Sequence, residues 1–243
     1  MSSHKLQLEV DGQEVNVFVH QEMRKNSRVS LGKTGVHIRV PRFLATKEKQ
    51  EQIGKFLDWA ETKLRQRPDF YKRKQQDYVN GQQLLLQNRT LTIHIDETGN
   101  MTSTAELINN QIFLDISYLM SETEQQKAIK HLLSRCLARE FYAAFWNRLH
   151  ELNNLYFQKE IKTLKLKYTS SRWGSCSNSG NINLSTRLLF APQQVVDYVM
   201  IHELAHLIHP NHSRNFWNCV EQAMPEYKEM EQWLKAHGSE CDF

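Results

Sequence analysis

His202-Glu203-Leu204-Ala205-His206 sets two imidazoles about one helical turn apart, with a carboxylate beside the first. Residues at i and i+4 share a helix face, so both imidazoles can reach one metal ion. The glutamate is then placed to take a proton from a water at that ion rather than to ligate it. Imidazole donors point to Zn(2+), one ion, and three protein ligands leave a position for water, which marks a hydrolytic rather than a structural site. Five letters can arise by accident, so the surrounding residues decide.

From Val195 to Ile208 the chain reads Val-Val-Asp-Tyr-Val-Met-Ile-His-Glu-Leu-Ala-His-Leu-Ile, which is apolar nearly all round and predicts a helix inside the protein. Burying a carboxylate and two imidazoles costs on the order of several kcal/mol unless they are paired, bonded or held by a metal. A buried hydrogen-bonded His–Glu cluster would also compensate, but it does not account for an i, i+4 pair followed by another histidine. His209 lies about 10.5 Å along the axis from His202, too far for both to converge on one ion with His206. Pro210 disfavours a continuing helix and turns the chain, so that His212 can fold back. The spacing His202–x3–His206–x5–His212 is similar to the three-histidine arrangement of metzincins, with His209 where those have glycine. Glu221, Glu226 and Glu229 are the alternative third ligands.

These residues need elements to carry them. Leu6, Leu8 and Val10 alternate up to the tight-turn pair Asp11-Gly12, and Val15, Val17 and Val19 alternate after it. A second hairpin is expected around Gly32 to Gly35. Ile53, Phe56, Leu57, Ala60 and Leu64 predict an amphipathic helix over 46–65. Short strands follow near 84–86, 91–95 and 112–116, with Asn109-Asn110 as a turn. Ser121 and Glu124 form a capping box. After it Ile129, Leu132, Leu133, Cys136, Leu137, Phe141, Phe145, Leu149 and Leu152 mark one face of a long helix, read as core packing. Residues 162–168 and 182–188 are expected strands around Ser170-Ser-Arg-Trp-Gly-Ser-Cys176. Pro192 suits the start of the motif's helix. Ser213 caps a helix to about Ala223, and a last helix ends near Gly238. The expected organisation is α+β. A β-rich region over 1–120 with one helix precedes a metallohydrolase region over 121–243, or the two form one continuous domain.

The 243 residues suffice for a proper core without staples. The start lacks the apolar core of a signal peptide, and no run of apolar residues is long enough to span a bilayer, so a cytoplasmic protein without membrane contact is expected. Cys136, Cys176, Cys219 and Cys241 lie far apart without C-x-x-C spacing and read as free thiols. The net charge of +4 is densest at Lys63, Arg65, Arg67, Lys72, Arg73 and Lys74, a stretch read as a solvated helix end or a contact for phosphates.

With these pieces together, the chain resembles the YgjP-like metallopeptidase-domain family, the WLM/SprT-related zincins. The resemblance rests on Ser171-Arg172-Trp173-Gly174-Ser175-Cys176, Asn181-Ile-Asn-Leu184, Arg187-Leu188, Pro192, Asp197-Tyr-Val199, His202-Glu-Leu-Ala-His206-Leu207, Asn211-His212-Ser213, Phe216-Trp217 and Pro225. It extends over nearly the whole chain and departs at Ser185, where the family usually has Asn. It implies a zincin-like C-terminal half, built of a long helix, a β-hairpin, the H-E-x-x-H helix and C-terminal helices, behind a β-hairpin-rich start. By that resemblance His202, His206 and His212 are the zinc ligands and Glu203 is the catalytic base. Arg172, Trp173, Gly174 and Ser175 belong to an edge segment that touches substrate.

The leading expectation is a zinc-dependent metallopeptidase acting on an extended peptide or flexible protein segment. One alternative is a nucleotide pyrophosphatase of the UTP type using the same site, though no Walker-type phosphate loop is present. A further alternative is an SprT-like DNA-associated protease, binding nucleic acid through the 63–74 cluster.

Overall fold

The computed structural model describes residues 2–32, 35–66 and 77–243. Their contacts divide them into two compact units, 1–76 and 77–243.

In the first unit, β1 (Ser2–Val10), β2 (Gln13–Glu22), β3 (Arg28–Gly32) and β4 (Gly35–Pro41) form one sheet in the order β1-β2-β4-β3. Asp11 and Gly12 both take positive φ, the geometry that lets a tight turn follow the right-handed twist of its strands. The two hairpins meet through a parallel pairing of β2 with β4. Val10, Val15, Val17, Val19, Val36 and Ile38 bury their inward faces against α1 (Thr46–Arg65), where Ala60 and Leu64 are buried. The apolar periodicity of 46–65 is thus a helix with its stripe on a sheet. Of the basic cluster, Lys63 bonds Gln66, and Arg65 pairs with Asp11 and Glu61. Arg67, Lys72, Arg73 and Lys74 lie outside the described residues.

The second unit repeats that plan. β5 (Gln83–Leu86), β6 (Arg89–Thr98), β7 (Thr104–Ile108) and β8 (Gln111–Ser117) pair in the order β5-β6-β8-β7, again with a parallel centre and again followed by a helix, α2 (Glu122–Leu152). Asn109 and Asn110 make the β7–β8 turn with φ of 47° and 68°. Strand β7 has no strong alternation of apolar residues and was not expected from the sequence. The capping box at the start of α2 is formed, with Ser121 N donating to Glu124 Oε2 at 2.9 Å. Leu84, Leu91, Ile93, Ile112 and Leu114 share one core with Ile129, Leu133 and Leu137 of α2 and with the motif's helix. Strands β5 to β8, which the sequence reading groups with the N-terminal region, therefore pack within the unit that begins at Asp77, because their buried face rests on α2.

After a π-helical turn at Asn153–Phe157, β9 (Thr163–Lys167), β10 (Gly174–Cys176) and β11 (Asn181–Ser185) form a small sheet ordered β10-β11-β9. A 3-10 turn over Thr186–Phe190 leads to α3 (Gln193–Ala205), α4 (Arg214–Ala223) and α5 (Tyr227–His237). Pro192 is the N-cap residue of α3, and Ser213 Oγ caps α4 by accepting from Phe216 N. The four cysteines are free thiols, and no described helix is long and apolar enough to cross a membrane.

Candidate metal centre and its cleft

Helix α3 is buried along most of its length, as its apolar surface requires. It is tied to α2 by one polar clamp. Arg148 reaches Asp197 through Nε at 2.9 Å and Nη2 at 2.7 Å, and Gln193 Nε2 adds a bond to Oδ1 at 2.8 Å. A bidentate pair of this kind sets orientation as well as attraction. The clamp fixes the N-terminal part of α3, whose last turn carries His202 and Glu203.

The helix ends at Ala205, one residue before His206. The expected continuation to Ile208 is replaced by a tightening turn, in which Leu207, Ile208 and His209 donate back to the carbonyls of Leu204 and Ala205. His209 contributes its backbone rather than its side chain: its carbonyl accepts from His206 Nδ1 at 3.1 Å. That bond leaves Nε2 of His206 as the free acceptor. Past Pro210 the chain folds back, and His212 Nε2 comes to 3.0 Å from His202 Nε2.

One nitrogen from each of His202, His206 and His212 lies within 4.8 Å of the other two, the group of potential metal ligands found among the described residues. Glu221, Glu226 and Glu229 are not in it. Phe216, fully buried, lies beneath all three imidazoles, with ring centroids 4.9, 4.6 and 4.8 Å away. Trp217 stacks on His212, and Tyr227 stacks on Trp217. The two aromatic residues thus anchor the returning loop, which is turned without the glycine that metzincins have at the position of His209.

The electrostatics suit neutral imidazoles. Burial and the neighbouring His206 and His212 push His202 down to about 4. Burial also lowers His206, with His212 adding to the effect and the bond to the His209 carbonyl opposing it. Three imidazole nitrogens converging over an aromatic floor are a donor set that fits a divalent cation of zinc's preference.

Glu203 points to the other side, against the small sheet. Gly174 lies so close that a Cβ there would come within 2.5 Å of Glu203 Oε1. The carboxyl is buried and pushed up to about 8 by that burial, with the Arg172 charge opposing. A cleft of about 360 Å³ opens beside it, lined by His202, Glu203, Tyr198, Arg172, Trp173 and Leu234 among others. Arg172, Trp173 and Gly174 all line this cleft. Ser175 lines a neighbouring cavity instead.

Trp173 is held by a residue that sequence reasoning left without a role. The Arg187 guanidinium lies 4.1 Å from the centre of its ring. Although buried, Arg187 donates to the carbonyls of Cys241 at 3.1 Å, Ser170 at 3.4 Å and Gly238. An arginine preceding an apolar Leu188-Leu189-Phe190 run was the available signal. Ser185, the departure from the family pattern, is also satisfied: its Oγ donates to the Thr169 carbonyl at 3.1 Å, and its backbone N–H donates to Trp173 at 2.8 Å.

A family model described as YgjP-like, metallopeptidase domain, matches residues 25–237. No curated protein matches the chain. Among the solved structures that overlap part of it are two metallopeptidase zymogens. The metallopeptidase zymogen abylysin of Pyrococcus abyssi is 27% identical, covers 36% of this chain and 89% of its own, and has a TM-score of 0.34. The metallopeptidase zymogen jannalysin of Methanocaldococcus jannaschii is 20% identical, covers 36% of this chain and 90% of its own, and has a TM-score of 0.32.

Proposed function

The chain belongs to the YgjP-like metallopeptidase-domain family, and from that premise we propose that it is a zincin-like zinc peptidase, with His202, His206 and His212 holding one ion and Glu203 serving as the catalytic base. The observation that carries this reading is the convergence of three imidazole nitrogens within 4.8 Å, with one of them, His202, lining a cleft together with Glu203. When bound, zinc supplies Lewis acidity that activates water and polarises the attacked carbonyl.

The remaining steps fall to the chain's own residues. Glu203 Oε1, walled by Gly174, cannot swing away through the sheet, so its proton transfers are confined to the cleft side. It takes a proton from the attacking water and delivers it to the leaving amine. His206 keeps its Nε2 available because Nδ1 is engaged by the His209 carbonyl. Strand β10 ends the small sheet, and its open edge offers backbone groups to an extended peptide while Trp173 and Tyr198 give the cleft apolar walls. Such pairing aligns a flexible segment with the reacting atoms.

The test sets purified protein, with chelator and after zinc restoration, against unfolded proteins and UTP. Proteolysis that is lost on chelation and restored by zinc is expected. Diphosphate release from UTP without proteolysis would overturn the peptidase reading in favour of the nucleotide alternative.

A further inference from the structure

The small sheet has a second face that the catalytic reading does not use. Leu164, Leu166, Ile182 and Leu184 are buried, so period-two alternation turns Lys165, Lys167 and Asn183 to the opposite side. Ser175 pairs with Asn183 across the β10–β11 ladder, and the Asn183 amide donates to Ser175 Oγ at 3.1 Å. The segment entering β10 adds Thr169, Ser171 and Arg172. Between them lies a cavity of about 280 Å³.

Its polar lining is Lys167, Thr169, Ser171, Arg172, Ser175 and Asn183. No carboxylate lines it, and neither Lys167 nor Arg172 forms an ion pair among the described residues. Lys167, without a counter-charge, and Arg172, whose charge also acts on Glu203, are backed by hydroxyl and amide donors, the composition of an oxyanion site. Arg172 and Gly174 border both this cavity and the cleft that holds His202 and Glu203, so the two spaces adjoin and one molecule can reach both.

We propose that this cavity is a substrate subsite for an oxyanion, occupied by the side-chain carboxylate of an aspartate or glutamate close to the bond cut. The inference rests on the peptidase reading and adds a substrate class to it: acidic segments, in spite of the protein's otherwise unselective edge strand. The guanidinium of Arg172 offers a planar fork to the carboxylate, and Lys167 offers a point charge. A phosphate would satisfy the same donors, and the experiment separates the two sources.

The zinc-loaded full chain is given a mixed peptide library, and cleavage positions are aligned. Enrichment of Asp and Glu at one position near the cut is expected. Lys167→Glu should lower the ratio of kcat/KM for acidic over neutral peptides by about tenfold, and Lys167→Gln should move it the same way by less. Cleavage with no acidic bias, or a bias unmoved by both variants, overturns the subsite while leaving the peptidase reading intact. If no peptide is cut, the peptidase reading itself fails. The subsite is then decided by fluorescence anisotropy on Glu203→Gln protein. Tighter binding of an acidic than a neutral labelled peptide, abolished by Lys167→Glu, supports it; equal binding overturns it. In the same assay, UTP displacing the acidic peptide at concentrations where inorganic phosphate does not would assign the site to a nucleotide and reject the carboxylate.

Discussion

Gly174 and Glu203 are fitted to each other across the β10–α3 contact. A methyl group on residue 174 would meet Oε1, Cγ and Cδ of Glu203 at 2.5, 2.7 and 2.8 Å, closer than a Cβ can lie. The small sheet thus confines the carboxyl by backbone alone. Gly174→Ala should displace the carboxyl while leaving the three histidines in place. A fall in kcat/KM of about a hundredfold is expected, with metal content unchanged by elemental analysis. Full activity in the variant would show that the close fit does not position the base.

Glu203→Gln keeps shape and burial but removes the proton acceptor. Turnover should fall by a factor of about 10² to 10⁴, and the variant should bind zinc with the stoichiometry of the parent. Residual activity near that of the parent would remove Glu203 from the mechanism.

His212 is exposed, whereas His202 and His206 are half-buried at the end of α3. Its removal should therefore cost metal and little else. Parent protein at zinc a hundredfold above Kd gains about 2.7 kcal/mol over the chelated form, seen as a rise in Tm. His212→Ala should match the Tm of the chelated parent and lose most of the zinc-induced rise. A variant with a full zinc response would shift the third ligand elsewhere.

The chelated protein should show a pH dependence that belongs to Glu203. Its carboxyl is pushed up to about 8 in the folded state, against about 4.3 for a free glutamate. Between those values the folded chain holds a proton that the unfolded chain has released, so stability is highest at low pH and declines as pH approaches 8. His202 is depressed to about 4 and works in the opposite sense, but only below the ordinary histidine value of about 6.5. From about pH 6.5 to 8 the slope of Glu203 is thus unopposed by His202. Denaturant midpoints in chelator should fall over that range in the parent and stay level in Glu203→Gln. An equal fall in both would assign the slope to other groups.

Arg187 ties Ser170, Gly238 and Cys241 together beneath Trp173. Lysine keeps the charge but cannot bond three carbonyls and stack on the indole at once. Arg187→Lys should cost about 2 kcal/mol in the denaturant midpoint and shift the tryptophan emission as Trp173 gains freedom. Unchanged stability and emission would mean that the backbone holds the segment without it.

Much of this arrangement was legible in the residue pattern. The alternation around Asp11-Gly12, the stripe over 46–65, the Ser121–Glu124 box and the helix start at Pro192 are local signals, and the elements appear where those signals lie. Strand β7 was not legible, because it owes its place to pairing with β8. The parallel junctions of β2 with β4 and β6 with β8 were equally hidden. So was the repeated sheet-and-helix plan, which is a likeness of pairing and not of residues. The boundary drawn after residue 120 missed that the second sheet finds its core on α2.

The sequence by itself determined the chemistry on offer: an i, i+4 histidine pair, an adjacent glutamate, a proline that turns the chain, and a further histidine past the turn. Those depend on type and spacing along one short segment, where helix geometry leaves little freedom. Only the tertiary structure decided which groups stand together. It set His212 rather than a downstream glutamate beside His202, gave the His209 carbonyl to His206, fitted Gly174 against Glu203, and brought Lys167 and Arg172 to one cavity. Each of these joins residues from different segments, and their proximity follows from how the apolar faces of α2, α3 and the small sheet are buried against one another.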